Sequence, residues 1–143
     1  MKTVLFLCTQ NACRSQMAEA LVNHHLAGRV RAFSAGTAPA EVHPLAVRAL
    51  AEAGIDMSGA RSKHVDEFAG RAFDLVVTLC GGAAEACPVV PGQGRRIHAG
   101  FDDPAGATGG EDERLAAFRR VRDRMRAELV PLVARELGIE NER

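Results

Sequence analysis

Tyrosine and tryptophan are both absent from this chain, so neither ring is available to wall a binding slot. An excess of one charge is absent as well: Lys plus Arg and Asp plus Glu each number 18, the formal net charge is +0, and no basic tract is long enough to hold a polyanion. Nucleic acid is therefore not an expected partner. No long hydrophobic run exists either. The amino-terminal Met1-Lys2-Thr3-Val4-Leu5-Phe6-Leu7 is too short for a signal peptide or a membrane span and reads as a buried first strand. With no repeat and no linker in 143 residues, a single domain spanning 1–143 is expected, as a monomer that does not engage a membrane.

The chain has four cysteines but no Cys-x2-Cys pair: the spacings are Cys8-x4-Cys13 and Cys80-x6-Cys87. Structural zinc sites use the tighter pairs, so no metal is expected. Free thiols without an export signal suit a reducing cytoplasm, where they are kept for chemistry rather than for permanent cross-links. The histidines do not suggest a metal site. His24 and His25 are adjacent, His43 precedes a proline, and His64 and His98 stand alone, which points to capping or solvated roles.

Strand-like and helix-like patterns alternate, which predicts an α/β fold with a four-stranded parallel sheet flanked by helices on both faces. The pattern gives strand 2–8, helix 15–27, strand 29–35, helix 44–53, a short helix near 65–69, strand 73–79, strand 95–99 and a long helix 111–137. The charged residues between Arg114 and Arg135 read as a solvated face of that last helix. Ligands of such sheets sit beyond the carboxyl ends of the strands, so Cys8, the turn at Ser34-Ala35-Gly36, Cys80 and the segment Phe101 to Pro104 are expected at one edge.

The densest chemistry lies between the first strand and the first helix, at Cys8-Thr9-Gln10-Asn11-Ala12-Cys13-Arg14-Ser15. A short strand-to-helix loop turns successive N–H groups inward, where the positive end of the helix also points, so it holds a tetrahedral oxyanion. Arg14 adds a planar fork for two of the oxygens, and the same positive field favours the thiolate of Cys8, the predicted nucleophile. A cation in a first helical turn opposes the helix dipole, and an anionic ligand explains it. Ser15 is expected to cap the helix and to donate to the Cys8 sulfur, and Asn11 to hold the tight curve in a left-handed conformation. Cys13 reads as a small packing residue.

This loop resembles the Cys-x5-Arg-Ser phosphate loop of the low-molecular-weight tyrosine phosphatase family. Within that superfamily, Arg14-Ser15-Gln16-Met17-Ala18-Glu19-Ala20, Phe33-Ser34-Ala35-Gly36, Val76-Val77-Thr78-Leu79-Cys80 with Cys87-Pro88, and Phe101-Asp102-Asp103-Pro104-Ala105-Gly106 resemble the thioredoxin-coupled arsenate reductases. The resemblance implies a phosphatase-like fold and reduction of arsenate to arsenite by a three-cysteine relay. In it, Cys8 attacks arsenate and Cys80 then Cys87 resolve the adduct. External thioredoxin reduces the resulting bridge, and no bound cofactor is needed. It also implies that Asp103 is the general acid, with Asp102 second in line, because a bare oxide is a poor leaving group. On a regular helix Cys80 and Cys87 would stand about 10 Å apart, beyond the roughly 4.4–6.8 Å Cα separation of a disulfide, so a bridge between them requires local rearrangement.

Three departures qualify the resemblance. Ala105-Gly106 follows Asp103-Pro104 where the phosphatases carry aromatic residues, so a phosphotyrosine slot has no walls. Gln10 replaces a glycine common at that loop position. Some members hold potassium at residues matching Asn11, Glu19 and Ser34, but here Arg61-Ser62-Lys63 supplies cations. We expect Lys63 to pair with Glu19 and no potassium requirement. The alternatives are a small phosphatase working through a phosphocysteine on Cys8, Arg14 and Asp103, or a non-catalytic thiol sensor of oxyanions.

Overall fold

The computed structural model describes residues 1–79 and 95–139. Four strands, β1 (Lys2–Leu7), β2 (Val30–Ala35), β3 (Leu75–Thr78) and β4 (Arg96–His98), form one sheet in the order β2-β1-β3-β4. Every pairing is parallel, with Leu7 opposite Ala35 on one side and Thr78 on the other. This is the predicted sheet, with β3 and β4 shorter than 73–79 and 95–99. Chain order reverses between β1 and β3, so a crevice opens at the carboxyl end of β1.

Val4-Leu5-Phe6-Leu7 is a continuous apolar run because both faces of β1 are buried. Side chains alternate across the sheet, so Val4 and Phe6 enter one core while Leu5 and Leu7 enter the other. The larger core lies under the helices. It takes Met17, Leu21 and Val22 from α1 (Arg14–His25), Ala46, Ala49 and Leu50 from α2 (Pro44–Glu52), and Leu115 and Phe118 from α3 (Glu111–Arg124). Val133 of α4 (Val130–Glu136) completes it. On the opposite face, among the described residues, a single 3-10 turn (Val65–Phe68) and the mutually edge-on rings of Phe33, Phe68 and Phe73 cover Leu5, Leu7 and Val76.

The single helix expected over 111–137 is interrupted. Residues Met125–Leu129 form a π turn, closed by the Val130 N–H donating to Met125 O. Pro131 explains it, because its ring has no N–H to give and crowds the carbonyl one turn back, which the wider turn accommodates. The first helix starts one residue earlier than expected, at Arg14, with Cys13 in the N-cap position.

Candidate active site at the carboxyl end of the first strand

Cys8 follows β1 directly, and its N–H donates to Ala35 O at 3.2 Å. From there the chain curls around its own carbonyls, each of which is taken from behind. Thr9 O accepts from Ala38 N, Gln10 O from Ala40 N and Ala12 O from His43 N, all at 2.9 Å. Asn11 O accepts from Ser62 Oγ at 2.8 Å and Gln16 Nε2 at 3.1 Å, and Cys13 O accepts from Met17 N at 2.8 Å. Because each planar peptide carries its C=O and the next N–H on opposite sides, drawing the carbonyls outward turns the N–H groups to the concave side. The N–H groups of Gln10, Asn11, Ala12 and Cys13 donate to nothing among the described residues. The loop is a nest of donors beside Cys8 at the positive end of α1.

Asn11 holds the curve as expected. It has φ 51°, the left-handed region, and is fully buried. Its side chain accepts from Lys63 N at 2.7 Å and Gln16 Nε2 at 2.9 Å, and donates to Ser15 Oγ at 2.7 Å. That last bond corrects the role expected of Ser15. Residue 13, not 15, occupies the N-cap position, without a side-chain cap bond, and among the described residues Ser15 makes no cap bond and no bond to the Cys8 sulfur. Ser15 steadies Asn11 instead. Gln16 and Ser62 escaped the sequence reading, since their bonds to Asn11 and to Arg61 O join segments with no shared motif.

Arg14 is 2% exposed, and its Nη1 donates to Phe101 O at 3.1 Å and, more weakly, to Leu79 O at 3.5 Å. Those bonds aim the guanidinium along the loop. Its Nη2 lies 3.6 Å from Asp103 Oδ2, so the segment Phe101 to Pro104 does reach the loop. Asp103 caps the 3-10 turn Pro104–Gly106, with Oδ1 accepting from Ala105 N at 3.0 Å, and Oδ1 also accepts from Cys13 Sγ at 3.4 Å. Among the described residues Asp102, the second acid, makes no hydrogen bond or ion pair to the loop. It lies with Arg120 and Arg124 along a neighbouring groove of about 380 Å³.

Cys13 is not poised to react. Burial first, then the charge and hydrogen bond of Asp103, push its thiol up to about 12. Cys80 and Cys87 lie outside the described residues. Leu79, which precedes Cys80 in sequence, donates its N–H to Leu7 O at 3.0 Å, and Leu7 precedes Cys8.

Behind the loop, Lys63 Nζ stands 3.5 Å from Glu19 Oε1 and donates to Arg61 O at 2.8 Å, while Ser34 Oγ donates to Glu19 Oε1 at 2.5 Å. The pairing expected of Lys63 is thus formed. His43 and His64 cap their helical turns by accepting from Leu45 N at 3.1 Å and Asp66 N at 3.0 Å. His98 Nδ1 shares a hydrogen bond with Thr78 Oγ1 at 2.7 Å. Among the described residues no group of three or more His, Cys, Asp or Glu is arranged to hold a metal. No helix there is long and apolar enough to cross a membrane.

A family model described as low molecular weight phosphotyrosine protein phosphatase matches residues 3–142. Over 122 residues the chain is 50% identical to a protein of Bacillus licheniformis named arsenate reductase, covering 85% of this chain and 88% of that one. The arsenate reductase of Bacillus subtilis is 48% identical over 122 residues, with the same coverage of 85% and 88%. A solved structure described as an arsenate reductase in the phosphate binding state superposes with a TM-score of 0.79 at 34% identity, over 94% of this chain and 98% of that one. A thioredoxin-dependent arsenate reductase of Corynebacterium glutamicum superposes with a TM-score of 0.65 at 33% identity, over 93% of this chain and 63% of that one. With the donor loop, its cysteine and its arginine in that family's order, the chain belongs to the low molecular weight phosphotyrosine protein phosphatase family, on the branch whose named relatives are arsenate reductases.

Proposed function

We propose that the protein reduces arsenate to arsenite with electrons from thioredoxin. The observation that carries this reading is the loop of residues 9–13, whose carbonyls are all drawn outward while Arg14 and Asp103 converge on the other side. Such a nest neutralises a tetrahedral oxyanion in place, and Arg14 orients it for in-line attack by Cys8.

As the bond from Cys8 Sγ to arsenic forms, one arsenate oxygen departs with the proton that Asp103 delivers, as water after full protonation. Cys80 thiolate then attacks Cys8 Sγ. The sulfur–arsenic electron pair stays on arsenic, which falls from the pentavalent to the trivalent state as arsenite leaves and a Cys8–Cys80 disulfide forms. Cys87 thiolate next attacks Cys80 Sγ and frees Cys8 as a thiolate. The two electrons lost by the thiols are the two gained by arsenic, and a thioredoxin dithiol restores Cys80 and Cys87 by exchange. The protein works without a bound metal or cofactor in this scheme, in the cytoplasm and as a monomer.

The decisive experiment is NADPH consumption with arsenate, thioredoxin and thioredoxin reductase, for the wild type and each cysteine variant. Turnover that requires Cys8, Cys80 and Cys87 but survives loss of Cys13 is the expected result. No turnover by the wild type, or turnover indifferent to Cys80, overturns the relay. A second reading, hydrolysis of small phosphate esters through a phosphocysteine, draws on the same Cys8, Arg14 and Asp103 and on the family's description. Cys80→Ser separates the two, since it is expected to abolish reduction and to spare ester hydrolysis.

A further inference from the structure

The Cys13 thiol is a described loop side chain near Cys8 for which the relay has no use. We propose that it is a positioning residue for the proton donor: by donating to Asp103 Oδ1 it docks the turn at Asp103-Pro104 on the oxyanion loop and leaves Oδ2 facing the reacting atoms. The inference rests on the arsenate-reduction reading and assigns a task to a residue that takes no redox step in it.

The two oxygens of Asp103 have different surroundings. Oδ1 is held twice, by Ala105 N–H at 3.0 Å and by Cys13 Sγ–H at 3.4 Å. Among the described residues Oδ2 has only the Arg14 guanidinium, 3.6 Å away. The Ala105 bond is local to the turn Pro104–Gly106 and orients the carboxylate within its own segment. Among the described residues Cys13 and Arg14 alone tie that carboxylate to the loop, and 3.6 Å is an ion pair rather than a hydrogen bond. An oxyanion, moreover, competes for the Arg14 fork. Cys13 does not face that competition.

Burial distinguishes the two partners. The Asp103 side chain is 43% exposed and open to water on one side, whereas Cys13 is 5% exposed at the helix start, its carbonyl accepting from Met17 N. With its thiol pushed up to about 12, Cys13 remains an S–H donor across the working range of the enzyme. A thiol is a weak donor, suited to orienting an oxygen rather than to seizing it.

The test combines kinetics with spectroscopy. In the thioredoxin-coupled assay, Cys13→Ala is expected to lower kcat about fivefold, the worth of one modest hydrogen bond in the transition state, with KM for arsenate unchanged because the loop donors and Arg14 are untouched. Cys13→Ser keeps a donor and is expected to recover most of the loss. An unchanged kcat in Cys13→Ala, or equal damage in both variants with a raised KM, overturns the proposal. The infrared S–H stretch of Cys13, assigned by its loss in Cys13→Ala, is expected to shift in Asp103→Asn. A band that does not move overturns the contact whether or not the chain turns over arsenate. A wild type inactive on arsenate whose band does shift sinks the arsenate reading and leaves the contact standing.

Discussion

Gly36 lies so close to Thr9 that a Cβ on it would stand 2.4 Å from the Thr9 carbonyl oxygen, and 2.5 Å from that of Cys8. Both obstacles are backbone, and the Gly36 segment is itself fixed, with Gly36 N donating to Lys63 O and Gly36 O accepting from Val65 N, each at 2.9 Å. Neither side has room to yield. This glycine is required by close approach, because its crossing presses the oxyanion loop from behind.

Gly36→Ala is therefore expected to cost about 1–3 kcal/mol of stability by overpacking and to displace Thr9 at the same time. Urea unfolding with an unchanged m-value reads the first effect, and a raised KM for arsenate reads the second. An alanine variant with wild-type stability and KM would show that the loop tolerates the shift.

Much of this arrangement was legible in the residue order. The apolar run of β1 announced a buried first strand, and Cys8 to Arg14 announced the anion loop. Asn11 was legible because few residues other than glycine accept a left-handed backbone, whereas the histidines read only as capping or solvated, without the caps at His43 and His64 being singled out. What was not legible came from long-range contacts. Gln16 and Ser62 meet Asn11 only because the chain near Arg61 returns behind the loop, and that return leaves no local signature. Ser15 misled for the same reason: a serine near a helix start reads as a cap until Asn11, buried and needing partners, claims its oxygen. The π turn at Met125–Leu129 was available from Pro131, whose effect on the preceding turn is general.

Asn11→Ala removes three side-chain hydrogen bonds and leaves a β-carbon residue at φ 51°. The partly buried Lys63 N–H loses its acceptor, which costs about 1–3 kcal/mol, and the left-handed backbone adds roughly 1–2 kcal/mol for alanine. Asn11→Gly is expected to recover the second part only. Thermal unfolding of the two variants separates the terms, and equal melting temperatures would show that backbone strain contributes nothing here.

The Lys63 ammonium and the Glu19 carboxylate, 3.5 Å apart with side chains 13% and 26% exposed, form a tethered cation site behind the loop. Arsenate turnover by the wild type is therefore expected to be the same in potassium as in sodium. Lys63→Ala strands a partly buried carboxylate and is expected to cost about 1–3 kcal/mol. It should also create a preference for potassium over sodium that the wild type lacks. Clear activation of the wild type by potassium would show that Lys63 does not serve as the cation.

His43 joins the loop to the second helix, its N–H on Ala12 O at 2.9 Å and its Nδ1 accepting from Leu45 N at 3.1 Å. The ring lies against Phe118, with centroids 4.6 Å apart. Burial, then the positive charge of Arg114, lower its proton affinity from the usual 6.5 or so, with Asp103 opposing. The cap itself demands the neutral form, since a protonated Nδ1 cannot accept. A histidine whose folded value is depressed takes up its proton more readily when unfolded, so its contribution is present above about pH 6.5 and is lost as pH falls toward and through the folded value. His25, lowered by burial and by His24, acts with the same sign, so the wild-type profile alone does not isolate His43. His43→Asn keeps a capping acceptor and removes the titration. Stability measured by urea unfolding at pH 7 and pH 5 is expected to fall more for the wild type than for His43→Asn. Equal losses in the two proteins would assign the acid sensitivity elsewhere and leave the His43 ring a spacer against Phe118.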